Sequence, residues 1–104
     1  MDIRAVTALF ADLPDVELVS WVERGWVHPD SAESGFVFRE IDVARVHLIH
    51  DLRRDMEVPE DTMTLVLSLL DQVYDLRSRL RTVLRAVEQQ PQDIRDALRA
   101  ALER

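Results

Sequence analysis

The longest uninterrupted amphipathic stretch of the chain covers residues 62–90 and contains neither Gly nor Pro. Within it Val66, Leu69, Val73, Leu76, Leu80, Val83 and Val87 recur at alternating steps of three and four. This spacing is a heptad seam, with Val66, Val73, Leu80 and Val87 in one set and Leu69, Leu76 and Val83 in the other. A seam on a single helix needs a second helix to cover it, because apolar surface left in water costs roughly 25 cal/mol per Å². A second stripe, Met63, Leu67, Leu70 and Tyr74, follows the first half of the helix and turns basic at Arg77 and Arg81. The pattern predicts a helix whose start packs into its own domain and whose end projects to meet a partner. An ordinary bundle helix is the alternative. Arg77 and Arg79 flank the seam and would meet like charge in a homodimer unless neutralised, for example by Asp75, four residues before Arg79.

Upstream the pattern is shorter and more broken. Val6, Leu9 and Phe10 share a face over residues 3–11 and predict a short helix. Pro14 suits a first helical position, with Asp15 and Glu17 close behind it. A second helix is expected to about Arg24, with Val16, Leu18, Val19, Trp21 and Val22 available to pack and Gly25 as its stop. Two extended segments, Trp26 to Pro29 and Phe36 to Phe38, flank a polar loop and predict a small hairpin or wing. A third helix over 41–56, capped near Arg39 or Glu40, presents Val43, Val46, Ile49 and Leu52 on one side. Pro59 breaks the chain before the acidic start of the long helix, and Pro91 ends or kinks that helix. Residues 93–104 predict a last amphipathic helix, with Ile94, Ala97, Leu98, Ala101 and Leu102 apolar. The domain plan is a head (1–61), a long dimerisation helix (62–90) and a short C-terminal helix (91–104).

Composition narrows the possibilities. A length of 104 residues allows one domain and at most an appendage. There is no Cys, hence no disulfide framework and no thiolate metal site. No uncharged apolar run approaches the ~20 residues that cross a bilayer, and the start of the chain, with Asp2 and Arg4, is not that of a signal peptide. A cytoplasmic protein with no membrane contact is expected. The net charge of −7 is uneven. Residues 1–61 hold 14 acids against 6 arginines, a balance of −8, and residues 62–104 hold 6 acids against 7 arginines, a balance of +1. The head is therefore repelled by phosphates and drawn to basic protein surfaces. All 13 basic residues are Arg, which we read as genomic base bias.

Candidate chemistry is sparse. His47 and His50 lie three apart on the third helix and could share a metal, but no third ligand accompanies them, and solvated or partner-facing histidines are the favoured reading. Trp21 and Trp26 read as core in so small a domain, with binding anchors as the alternative. Asp51, Asp55, Glu57, Glu60 and Asp61 gather about the turn between the third and fourth helices, either as a solvated surface with a favourable helix start or as a docking patch. No phosphate loop or nucleophile motif is present, so neither a catalytic residue nor a cofactor is expected.

The order helix, helix, wing, helix, long seamed helix is that of a winged helix-turn-helix head joined to a dimerising helix. Gly25-Trp-Val-His-Pro, Phe36-Val-Phe-Arg-Glu-Ile-Asp-Val-Ala-Arg-Val and Ile49-His-Asp-Leu-Arg resemble the wing and third helix of MerR-type proteins. Asp42-Val-Ala-Arg-Val, Leu52-Arg-Arg-Asp-Met-Glu-Val and the run from Leu65 to Leu80 resemble the third and fourth helices of the chaperone modulator CbpM family within that superfamily. The likeness covers roughly residues 16–85 and rests mostly on apolar spacing. It implies a mainly α fold and a non-enzymatic modulator that binds the J-domain of a DnaJ/CbpA-type co-chaperone and blocks its cooperation with Hsp70. The Val66 to Val87 seam is expected to pair two copies of the chain, as a long dimer helix of antiparallel type. The runner-up is a MerR-like DNA-binding transcription regulator, and a structural coiled-coil adaptor is a third option. Where MerR-type activators carry Arg-Tyr-Tyr on the second helix, this chain has Val19, Ser20 and Trp21 amid Asp12, Asp15, Glu17 and Glu23. Nucleic acid is thus a poor partner. J-domains, as the resemblance implies, present a basic second helix, which makes Asp12, Asp15, Glu17, Glu23, Asp51, Asp55 and Glu57 the expected docking residues. His28-Pro29-Asp30 spells the J-domain's own signature but lacks the long basic helix that precedes it there, so it is read as a chance match.

Overall fold

In a computed structural model, which describes residues 1–103, seven elements follow in order. They are α1 (Ile3–Thr7), α2 (Asp15–Glu23), β1 (Asp30–Ala32), β2 (Gly35–Val37), α3 (Glu40–Arg54), α4 (Glu60–Glu88) and α5 (Gln92–Leu102). The fold is mainly helical, with one two-stranded antiparallel hairpin and one long helix. The chain divides into two compact units, Met1–Leu65 and the stretch from Val66 onward.

The first unit buries Val6 of α1, Leu18 and Trp21 of α2, Val46, Ile49 and Leu52 of α3, and Met63 of α4. Leu13, Trp26, Val27 and Phe38 join this core from the connections. The tryptophans are core residues, as expected, each only 2% exposed, with ring centroids 6.5 Å apart. The polar end of Trp26 is satisfied, its indole N–H donating to Thr64 Oγ1 at 3.1 Å. Val16 departs from the sequence reading: it sits at the start of α2 and is 81% exposed.

Two boundaries also differ. The first helix stops at Thr7, short of Ala11, because the chain tightens into i to i−3 turns there, Leu9 N–H bonding Val6 O and Phe10 N–H bonding Thr7 O. The first strand begins at Asp30, inside the expected loop, with Asp30, Ser31 and Ala32 facing Val37, Phe36 and Gly35. Trp26 and Val27 are claimed by the core instead, Trp26 N–H closing on Trp21 O at 3.0 Å. Pro29 has no N–H for a ladder, so pairing starts just after it. Gly35 closes the two-residue turn with φ of +114°, open to glycine at no steric cost. Phe38 extends the pairing outward, exchanging main-chain bonds with Met1 at 2.7 and 2.9 Å.

Arg39 precedes α3, and the Asp42 carboxylate accepts its main-chain N–H at 2.8 Å, which satisfies a donor at the helix start. At the other end Glu57 adopts φ of +52° and Val58 N–H reaches back to Leu52 O at 2.9 Å. Arg53 donates to Val58 O at 2.6 Å and pins this turn. Pro59 then leads into α4, its carbonyl taking the N–H groups of Thr62 and Met63.

In the second unit α4 continues to Glu88, and residues 89–91 lead into α5. The seam residues Leu69, Val73, Leu76, Leu80 and Val83 are between 42 and 64% exposed, and Val66 and Val87 are half-buried. Of the second stripe, Met63 and Leu67 are buried, Leu70 is half-buried and Tyr74 is exposed. The expected last helix was to run through Arg104, which lies outside the described residues. No helix among the described residues is long and apolar enough to cross a membrane.

Candidate protein-docking surfaces

The acids proposed for docking do not form one free cluster. Arg54, near the end of α3, gathers two of them. Its guanidinium donates to both Glu17 oxygens, at 3.1 and 2.6 Å, a two-pronged pairing that fixes orientation as well as distance. It also donates to the Asp12 carboxylate at 3.0 Å and to the Asp12 carbonyl at 2.9 Å. The connection before α2 and α2 itself are thereby tied to α3. Glu17 is the main cause of the raised Arg54 pKa, with Asp12 adding to it against the opposing effect of burial.

His50 completes the clamp. Its Nε2 lies 2.6 Å from Asp12 Oδ1, and this bond, followed by the one from Arg54, holds the Asp12 carboxyl below its ordinary value. The Phe10 ring meets both histidines of α3 at a tilt, its centroid 4.6 Å from that of His47 and 4.7 Å from that of His50. His50 is thus spent on Asp12 and Phe10. Among the described residues no group of three or more His, Cys, Asp or Glu is arranged to hold a metal ion.

The other acids divide in the same way. Asp15 accepts a hydrogen bond from the Thr7 hydroxyl at 2.6 Å. Asp42 is buried, which raises its pKa. The Arg39 bonds at 2.8, 3.1 and 3.3 Å and the Arg39 charge outweigh that, and the group sits below its usual range. Glu60 meets Arg24 at 3.0 Å and Arg53 at 3.8 Å. Asp51 lies 4.0 Å from His50 Nδ1. Glu23, Asp55, Glu57 and Asp61 are exposed and make no side-chain ion pair among the described residues. Of the seven expected docking residues, Glu23, Asp55 and Glu57 are therefore the exposed ones that no ion pair engages among the described residues.

The arginines of this unit are equally informative. Arg24, Arg39, Arg53 and Arg54 are all engaged with carboxylates, and Arg45 donates to the Trp26 carbonyl. The exposed positions of α2 include Asp15, Val16 and Glu23, and no basic residue lies on this helix. A row of free arginines able to meet phosphates is not what this unit offers. His28-Pro29-Asp30 sits at the entry to the hairpin, with Asp30 3.8 Å from the Arg39 guanidinium.

Sequence reasoning missed the Arg54 clamp because its partners lie 37 and 42 residues away. The one available signal was a pair of adjacent arginines, Arg53 and Arg54, in the most acidic part of the chain. The α4 seam was expected from spacing, and its central residues Leu69, Val73, Leu76, Leu80 and Val83 are exposed in the folded chain. Searches for similar proteins found no matching family model, no matching curated protein and no matching solved structure.

Proposed function

We propose that this chain is a non-enzymatic, protein-binding modulator whose acidic first unit docks on a basic protein surface and whose α4 seam pairs two copies. The resemblance set out above gives that surface an identity, the J-domain of a DnaJ/CbpA-type co-chaperone, and gives the consequence of docking, interference with Hsp70 cooperation. On this reading the first unit is a winged helix-turn-helix head put to protein binding, and the protein works in the cytoplasm.

The observation that carries the choice of a protein over DNA is the fate of the arginines. Four of the six in the first unit are occupied by carboxylates of the same unit, whereas Glu23, Asp55, Glu57 and Asp61 are free. DNA affinity is built on phosphate contacts from free cations, and each is visible as a salt dependence. A surface with spare anions instead steers a basic partner and sets its orientation.

Calorimetric titration with the isolated J-domains of the host's DnaJ-like co-chaperones, at two salt concentrations, tests the reading. Binding that weakens with salt is expected. The triple variant Glu23→Lys, Asp55→Lys and Glu57→Lys is expected to lower the affinity at least about tenfold, ~1.4 kcal/mol, with an unchanged far-UV circular dichroism spectrum. These positions are preferred to Glu17, whose reversal would also break the Arg54 clamp. Binding to no J-domain, or salt-sensitive binding to duplex DNA instead, would sink the proposal and return the MerR-like regulator to first place.

A further inference from the structure

The helix after Pro91 has no part in the reading so far, and its exposure pattern is inverted. Ile94, Leu98 and Leu102 are 42, 38 and 82% exposed, and with Ala97 and Ala101 they form one stripe at helical spacing. The least exposed residue of α5 is instead an arginine, Arg95. An amphipathic helix that shelters a cation and leaves its apolar stripe in water has that stripe committed elsewhere.

The end of α4 shows the same need. Leu84, 47% exposed, stands beside the seam residues Leu80 and Val83 and widens the apolar face from two columns to three. A strict two-column seam suits a two-stranded coiled coil, and a three-column face suits a bundle of more helices. The widening, at Leu84, lies eight residues before α5 begins at Gln92.

Area selects the occupant. A fully exposed Leu, Ile or Val side chain offers roughly 60–120 Å² of apolar surface, from the transfer values per side chain and per Å². At about half exposure, Leu69, Val73, Leu76, Leu80, Val83 and Leu84 together supply roughly 200–350 Å². A stable interface buries about 800 Å² per partner, of which roughly 450–500 Å² is apolar. The seam alone falls short of that, and adding Ile94, Leu98 and Leu102 brings the total to roughly 290–580 Å², which spans the requirement. The seam is also self-complementary, since a row of Val and Leu at heptad spacing is best filled by another such row.

We propose that the apolar stripe of α5 and the α4 seam together form one interface with a second copy of this chain, so that the dimer is held by four helices and not two. This rests on the dimeric part of the function proposed above and is independent of J-domain docking. The chain is also free of Cys, so its association is not confounded by thiol cross-linking.

Light scattering on the full chain at two concentrations tests the proposal. Wild type is expected at twice the 12.1-kDa chain mass. Ile94→Asp with Leu98→Asp is expected to raise the dissociation constant at least a hundredfold, and the milder Leu98→Ala about tenfold, with the tryptophan fluorescence of the first unit unchanged. Dimerisation of the double variant as tight as wild type would overturn the role of α5 and leave a two-helix seam. A wild-type monomer would overturn the proposal outright. Neither result bears on J-domain binding, which is read by titration against acidic-surface variants. Monomeric wild type that binds a J-domain, with the Ile94→Asp and Leu98→Asp variant binding it more weakly, would overturn the proposal in favour of a heterologous partner for the stripe.

Discussion

Replacing Arg54 by Met keeps most of the aliphatic stem and removes every hydrogen bond of the guanidinium. The pairing with Glu17 is two-pronged and only about a third exposed on each side, 30 and 28%. Hydrogen bonds to a charged group are worth roughly 1.5–3 kcal/mol each when buried, and exposed ion pairs about 0–1 kcal/mol. Intermediate exposure puts the Glu17 pairing at about 1–2 kcal/mol, and the bond to the Asp12 carbonyl brings the total to about 2 kcal/mol. For a unit of this size each kcal/mol moves the melting midpoint by about 4–8 °C, so Arg54→Met should melt about 8–16 °C below wild type. Tryptophan fluorescence is the natural assay, because Trp21 and Trp26 are both buried in the unit being tested. Asp30→Asn is the control. Asp30 meets Arg39 only at 3.8 Å, and both side chains are more than half exposed, so its loss should leave the melting midpoint at the wild-type value. A double-mutant cycle of Arg54→Met with Glu17→Gln should return a coupling of about 1 kcal/mol. If Arg54→Met melts with the Asp30→Asn control, or if the coupling vanishes, the clamp is a surface decoration and the division of acids into engaged and available fails with it.

Three further expectations follow from the same geometry. Leu76→Asp places a charge in the middle of the seam and should give monomers by light scattering, and an unchanged mass would remove the seam from the interface. Asp42 has its folded pKa held below the unfolded value of about 3.9, so its contribution is present above that pH and is lost as pH falls through the folded value. The stability gap between wild type and Asp42→Asn in urea titrations should therefore close below about pH 4, and a gap that persists in acid would assign Asp42 a packing role instead. Glu57→Gly should raise stability by about 0.5–1 kcal/mol, since φ of +52° strains any residue with a Cβ. A loss on this substitution would show that the glutamate side chain stabilises the turn.

The parts of the fold legible in the sequence were those fixed by local chemistry. Gly25, with φ of +77°, stops α2 where a left-handed residue was expected, and Pro59 and Pro91 bound α4. The α3 stripe of Val46, Ile49 and Leu52 faces the core because helical spacing leaves it no alternative. What was not legible depended on competition at a distance. Trp26 and Val27 have the composition of a strand, yet the core claims them, and the hairpin moves to residues that read as loop. Val16 looked like core and is exposed because the register of α2 is set by Leu18 and Trp21. The acidic surface was visible as a charge balance, but which carboxylates remain free was decided by Arg54, Arg39 and Arg24 after folding.

The continuity of α4 across the two units has a consequence for its amides. Met63 is sealed in the first unit, whereas Leu69 and the turns beyond it stand half in solvent on the same helix. The hydrogen-bonded amide of the buried Met63 exchanges with solvent deuterium when the first unit opens, at a rate set by the stability of that unit. Amides beyond Leu69 exchange by unwinding from the far end, with no such barrier in a lone chain. Association would slow the second group and leave the first untouched. Deuterium uptake along this single helix, followed at two protein concentrations, therefore separates folding from assembly within one molecule: protection that rises with concentration belongs to the interface, and protection that does not belongs to the core.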